Sequence, residues 1–283
     1  MGIQRRDLQF LTLLVFSIAW FWTPLSALTR LSLSDGNYSY IVAIPLISSG
    51  LLYMKRAEIF SQRKSHGAVG LVILLLAVTI YAGASHRLFL QTLAVVLVWV
   101  AIFTLCYGTL ALRFAAFPLC FLAFMIPIPE PVLNSIVGVL QSGSADLSSM
   151  LFHALGIPSF RQGFRFLLPG VEIEIANECS GIRSTLSLCI ASVLAGNFLL
   201  RYNSRRLLFC LAAIPIGIFK NAVRIVTLSY LGIYVDPAFL TGKLHHQYGG
   251  LVFSLFSLAL FVPLLLLLRR SEAEKTAVPI LVT

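Results

Sequence analysis

The feature that most constrains this chain is a succession of long apolar runs, each ended by a short polar or basic segment. A helix needs roughly 20 apolar residues to cross a hydrocarbon layer, and in lipid only a helix or a closed barrel satisfies its own backbone. Residues 8–28, 38–54, 67–84, 88–105, 114–128, 182–200, 207–233 and 249–268 read as eight such crossings. Of the 283 residues, 58% are hydrophobic and 11% charged, and the mean hydropathy is +0.91, which excludes an ordinary soluble domain. The first run follows Arg5 and Arg6 like a signal peptide, but its length and the lack of a small-residue cleavage site make it a retained span.

A net charge of +10 suggests nucleic acid only in a soluble protein. Here the basic residues cluster between apolar runs, which is a membrane-orientation signal. With the N-terminus in the cytoplasm, thirteen of the 21 Lys and Arg residues fall on the inner side and five on the outer. Both ends are therefore expected inside. Five cysteines scattered among apolar runs make no disulfide framework, and no zinc-type spacing, glycine-rich phosphate loop or internal repeat is present. No metal, cofactor or nucleic acid is expected.

Residues 129–180 stand apart as an extracytoplasmic insertion in a single membrane domain covering 1–270, with 271–283 a cytoplasmic tail. Pro127, Pro129 and Pro131 stop the fifth run. From Val132 to Leu155 apolar residues recur at helical spacing with Gln141, Ser144 and Asp146 among them, predicting an amphipathic helix on or against the membrane. Residues 164–168 and 171–175 flank Pro169-Gly170 and predict a β-hairpin, its second strand alternating apolar with Glu172 and Glu174. The acidic pair is expected to be solvated or to meet a basic segment of a substrate. The fold class is thus all-α and polytopic, with a short external helix and hairpin.

The hairpin leads to Asn177-Glu178-Cys179-Ser180-Gly181-Ile182-Arg183-Ser184. Cys106, Cys120, Cys189 and Cys210 lie in or beside apolar runs, as small core residues do. Cys179 differs, because Ser180-Gly181 opens a helix beside it and Arg183 follows. Amide dipoles and a nearby cation stabilise a thiolate, although Glu178 acts against ionisation.

Three basic residues, Arg183, Lys220 and Arg224, fall within or at the edge of apolar spans, where a charge costs about 2.5 to 3.5 kcal/mol. Arg183 is near enough to its span's start to snorkel to the interface. Arg224 is further from an end, which favours an interior or cavity-facing position. Lys220 lies four residues before Arg224 on one helix face, and Asn221 lies three before it. His245 and His246 fall in the loop before the last span, on the same expected side as Cys179. A histidine beside a thiol can take its proton and return it to a leaving amine, and an arginine can hold the developing oxyanion.

The stretches Glu178-Cys179-Ser180-Gly181-Ile182-Arg183-Ser184, Asn221-Ala222-Val223-Arg224-Ile225 and His245-His246-Gln247-Tyr248-Gly249 resemble, in order, the three motifs of the exosortase/archaeosortase family. Tyr38-Ser39-Tyr40 with Pro45, and Phe124 to Pro129, extend the resemblance over most of the chain. It implies a membrane cysteine transpeptidase in a cell (inner) membrane, with Cys179 as nucleophile, His245 as proton carrier and Arg224 as transition-state stabiliser. Arg183, Asn221, Glu178 and His246 would support the site. Implied partners are secreted proteins bearing a C-terminal sorting tail, made of a short motif such as Pro-Glu-Pro, a transmembrane helix and a basic cluster, with a lipid or other acceptor for the cleaved protein. An acidic residue often follows the family's histidine; here it is His246, which also fits the spacing through Gly250, while His245 aligns Gly249 with the last span. The alternatives are a transporter lined by Lys220 and Arg224, or a non-catalytic scaffold in envelope polysaccharide assembly.

Overall fold

Proline and glycine placement decides how the apolar runs become helices. The computed structural model describes residues 5–61, 67–241 and 249–277, so His245 and His246 lie outside the described residues. By backbone packing the chain divides into Met1–Pro129 and Glu130–Thr283, at the proline cluster.

The first unit contains α1 (Arg5–Trp20), α2 (Trp22–Ser34), α3 (Ala43–Met54), α4 (Arg56–Phe60), α5 (Gly67–Ala82), α6 (Leu88–Phe114) and α7 (Ala116–Phe121). The run expected as one first span is broken, with α1 and α2 meeting at 73°. Pro24 explains the break: it has no N–H to give to Trp20, and its ring collides with that carbonyl in a continuous helix. Gly108, with φ 86°, interrupts α6. The aromatic rings of Phe10, Phe60 and Phe103 surround Tyr107. Tyr107 donates to Asp7 Oδ1 (3.0 Å), and Trp99 Nε1 donates to Ser17 Oγ (3.1 Å).

The second unit begins with α8 (Glu130–Ala154), whose first turn holds Pro131, a position where a missing N–H costs nothing. The strands β1 (Phe160–Gln162), β2 (Arg165–Leu168) and β3 (Val171–Glu174) follow, then α9 (Ile182–Leu199), α10 (Asn203–Leu211), α11 (Ala213–Tyr234), α12 (Ala238–Thr241) and α13 (Gly249–Ala277). The expected hairpin is there, but β1 adds to it, so the sheet is three-stranded and antiparallel in the order β1-β2-β3. Its inner face brings Phe166, Leu168 and Ile175 against Phe152 of α8 and Val226 of α11. A second core joins Leu188, Phe209, Ala213 and Phe261 from α9, α10, α11 and α13. The buried carboxylate of Glu272 accepts from the amides of Arg201 (2.9 Å) and Tyr202 (3.0 Å), tying α13 to the start of α10.

Among the described residues four helices are long and apolar enough to cross a membrane, or up to six if each of two bent pairs counts as one span. The expectation of eight rested on α3, α5 and α7 as well. At 1.5 Å per residue the sixteen residues of α5 reach only about 24 Å, short of a hydrocarbon core of about 30 Å. Large apolar side chains stay exposed along α1 and α5, including Val15, Phe16, Val72 and Leu75, which suits lipid rather than water.

Candidate active site

The site is built from the second unit alone. A one-turn 3-10 helix, Asn177–Cys179, runs directly into α9, so Cys179 stands just before a helix N-terminus, as its sequence neighbours predict. The junction residue Gly181 has φ +83°, a left-handed conformation that costs other residues about 1 to 2 kcal/mol. A side chain there would also press on Asn221, since an added Cβ would lie 3.1 Å from its Cγ.

Asn221 is the organising residue. It is 1% exposed, and its Nδ2 donates to the carbonyl of Cys179 (2.9 Å) and to Ser144 Oγ (3.1 Å). One amide group therefore joins α11, the cysteine turn and α8. Its Oδ1 is buried and has no hydrogen-bond partner among the described residues, which is costly for a carbonyl oxygen. On the same helix Lys220, 3% exposed, donates from Nζ to Ser184 Oγ. Ser184 Oγ and Thr185 Oγ1 in turn donate to the Gly181 carbonyl at 2.9 and 3.0 Å. A cation that is costly within an apolar span thus has a hydrogen-bond partner, and the pair joins α9 to α11 beside the cysteine turn. Close approach of these helices requires Gly217, where a Cβ would collide with Thr185.

A cavity of about 340 Å³ opens above this network. It is lined by residues 171–175, by Cys179, and by Asn221, Arg224, Ile225, Leu228 and Ser229 of α11. Cys179 and Arg224 are both half-buried. The three-residue spacing of Asn221 and Arg224 thus does place both on the cavity face. The other four cysteines do not line it.

Not every expected residue converges. Arg183 is exposed and is not part of the cavity wall. Glu178 contributes its backbone to the one-turn helix beside Cys179. Glu172 and Glu174 are half exposed, as a solvated face would be, and both lie near Arg165, at 3.9 and 3.2 Å. The supports that sequence reasoning missed are on α8. Gln141 Nε2 donates to the Ile175 carbonyl (2.8 Å), and Ser144 receives from Asn221. Gln141, Ser144 and Ser148 are buried at helical spacing, so the inner stripe of this amphipathic helix is partly polar and faces protein. That spacing was the available signal. Among the described residues no group of three or more His, Cys, Asp or Glu could hold a metal ion.

A half-buried thiol just before a helix N-terminus and an arginine line one cavity in a mostly helical protein with several apolar, membrane-length helices. The sequence matches the family profile described as Transmembrane exosortase (Exosortase_EpsH) over residues 10–262, and the chain belongs to that family. No curated protein and no solved structure matches it.

Proposed function

We propose that the protein is a membrane cysteine endopeptidase and transpeptidase that removes the C-terminal sorting tail of secreted proteins. The observation that carries this reading is that Cys179 and Arg224, from separate motifs, line one cavity at the start of α9. In the first step the Cys179 thiolate adds to the scissile carbonyl, and Arg224 holds the oxyanion that develops. The C–N bond then breaks, leaving a thioester, and the tail's amine takes a proton from His245, or from His246 in the alternative register. In the second step an acceptor amine or water attacks the thioester, gives up its proton to the imidazole, and regenerates the thiolate.

Asn221 fixes the cysteine turn through the Cys179 carbonyl, and Glu178 and Arg183 flank the thiol in sequence. The reading includes both ends cytoplasmic and the cavity facing the extracytoplasmic side of a bacterial inner membrane. Its substrates carry a Pro-Glu-Pro-like motif, a transmembrane helix and a basic cluster, and a lipid is one acceptor. The test is co-expression with a tagged tail-bearing protein from the same genome. Cys179→Ala should abolish the size shift that marks tail removal; normal processing by that variant would end the proposal.

A further inference from the structure

The wall formed by β3 borders the cavity with its edge rather than with one face. Residues 171 through 175 all line the cavity, whereas a single face would contribute only every second residue. In the order β1-β2-β3, the last strand has a partner on one side only. Ile175 N–H donates to the Phe164 carbonyl (3.0 Å), and the register pairs Ile173 with Phe166 and Val171 with Leu168. Antiparallel alternation then turns the amides of Val171, Ile173 and Ile175 toward β2, and the N–H and C=O groups of Glu172 and Glu174 toward the open side. Among the described residues no strand pairs with that side.

An open edge is a template for an added strand, and here it ends five residues before the thiol. We infer that the substrate segment leading to the scissile bond binds as an extended strand along the Glu172–Glu174 edge, paired through backbone hydrogen bonds and delivered to Cys179. The inference takes the identity of the substrate from the proposed cysteine chemistry, but the strand pairing stands on the edge geometry. It also specifies the substrate's side chains. Glu172 and Glu174 share the single guanidinium of Arg165 and leave that face net negative, so a polar or cationic side chain suits the position over it. The opposite face is continuous with Phe166, Leu168 and Ile175, so the neighbouring position suits an apolar one.

Two measurements test this. Glu172→Pro removes the amide that faces the open side while keeping both ladder bonds to β2, and Glu172→Ala removes the carboxylate alone. Cleavage of a tail-bearing protein from the same genome by detergent-solubilised enzyme should show kcat/KM at least tenfold lower for the Pro variant than for the Ala variant, chiefly through KM. Equal values in two variants with matching thermal unfolding overturn the inference. Should the Pro variant fail to fold, a photo-crosslinking benzoylphenylalanine at position 174 in the Cys179→Ser protein decides the matter. Capture of the tail-bearing protein there supports the edge, and capture only by a probe on the exposed face of α8, at position 139, refutes it. Crosslinking needs no turnover, so a strand site can be upheld even where Cys179→Ala leaves processing intact and the cysteine mechanism falls.

Discussion

The two units bury polar groups for different ends. In the first, Trp99, Tyr107, Tyr38 and Ser48 donate to Ser17, Asp7, Ile128 and Pro118, four separate acceptors spread through the unit. In the second, Lys220, Asn221, Ser144, Ser184 and Gln141 converge on one short turn, and Asn221 Oδ1 is left unpaired among the described residues. Satisfied, scattered pairs add stability; a concentrated cluster with an unmet acceptor costs stability and persists where a site requires it. The difference sets the second unit, where the candidate site lies, apart from the first without reference to any motif.

Substitutions can break this contrast. The largest effect is expected from Arg224→Ala, which should lower turnover by about 10² to 10³, the usual result of removing one oxyanion donor. Comparable activity in a single-turnover cleavage assay would show that the cavity's cation is structural. Next comes Asn221→Leu, which strands the Cys179 carbonyl and Ser144. It should cost about 1 to 3 kcal/mol, read as a lower unfolding temperature, together with at least tenfold in cleavage. Gly181→Ala should cost about 1 to 2 kcal/mol from its left-handed backbone, with a further loss of cleavage as Asn221 is displaced. The smallest effect should come from the first unit. Trp99→Phe removes one hydrogen bond to Ser17, about 1 kcal/mol, and should leave cleavage at the wild-type rate. A large loss of cleavage in that variant would erase the distinction between the units.

Much of the site was legible because it is local. Ser180-Gly181 before an apolar run announces a helix start, and the spacing of Asn221 and Arg224 puts them on one face whatever surrounds them. The links between elements were not legible. The bond from Asn221 to Ser144 spans 77 positions, and the one from Lys220 to Ser184 spans 36, with no pattern that pairs them in advance. In the fold, the hairpin followed from its turn and alternation, while β1 escaped notice because Phe160-Arg161-Gln162 is too short to show a period. The first span reads as one continuous apolar run because hydropathy averages over Pro24, a single ring that removes one donor and bends the chain by 73°.

The arrangement of α8 carries one more consequence. Val132, Val139 and Met150 point away from the protein, and its buried stripe depends on Asn221 and the sheet. Cut out as a soluble fragment for immunisation or crystallisation, residues 130–180 would show water an oily exterior and keep the sheet but lose α11 from their interior, so antibodies raised against that peptide should fail to recognise the native protein.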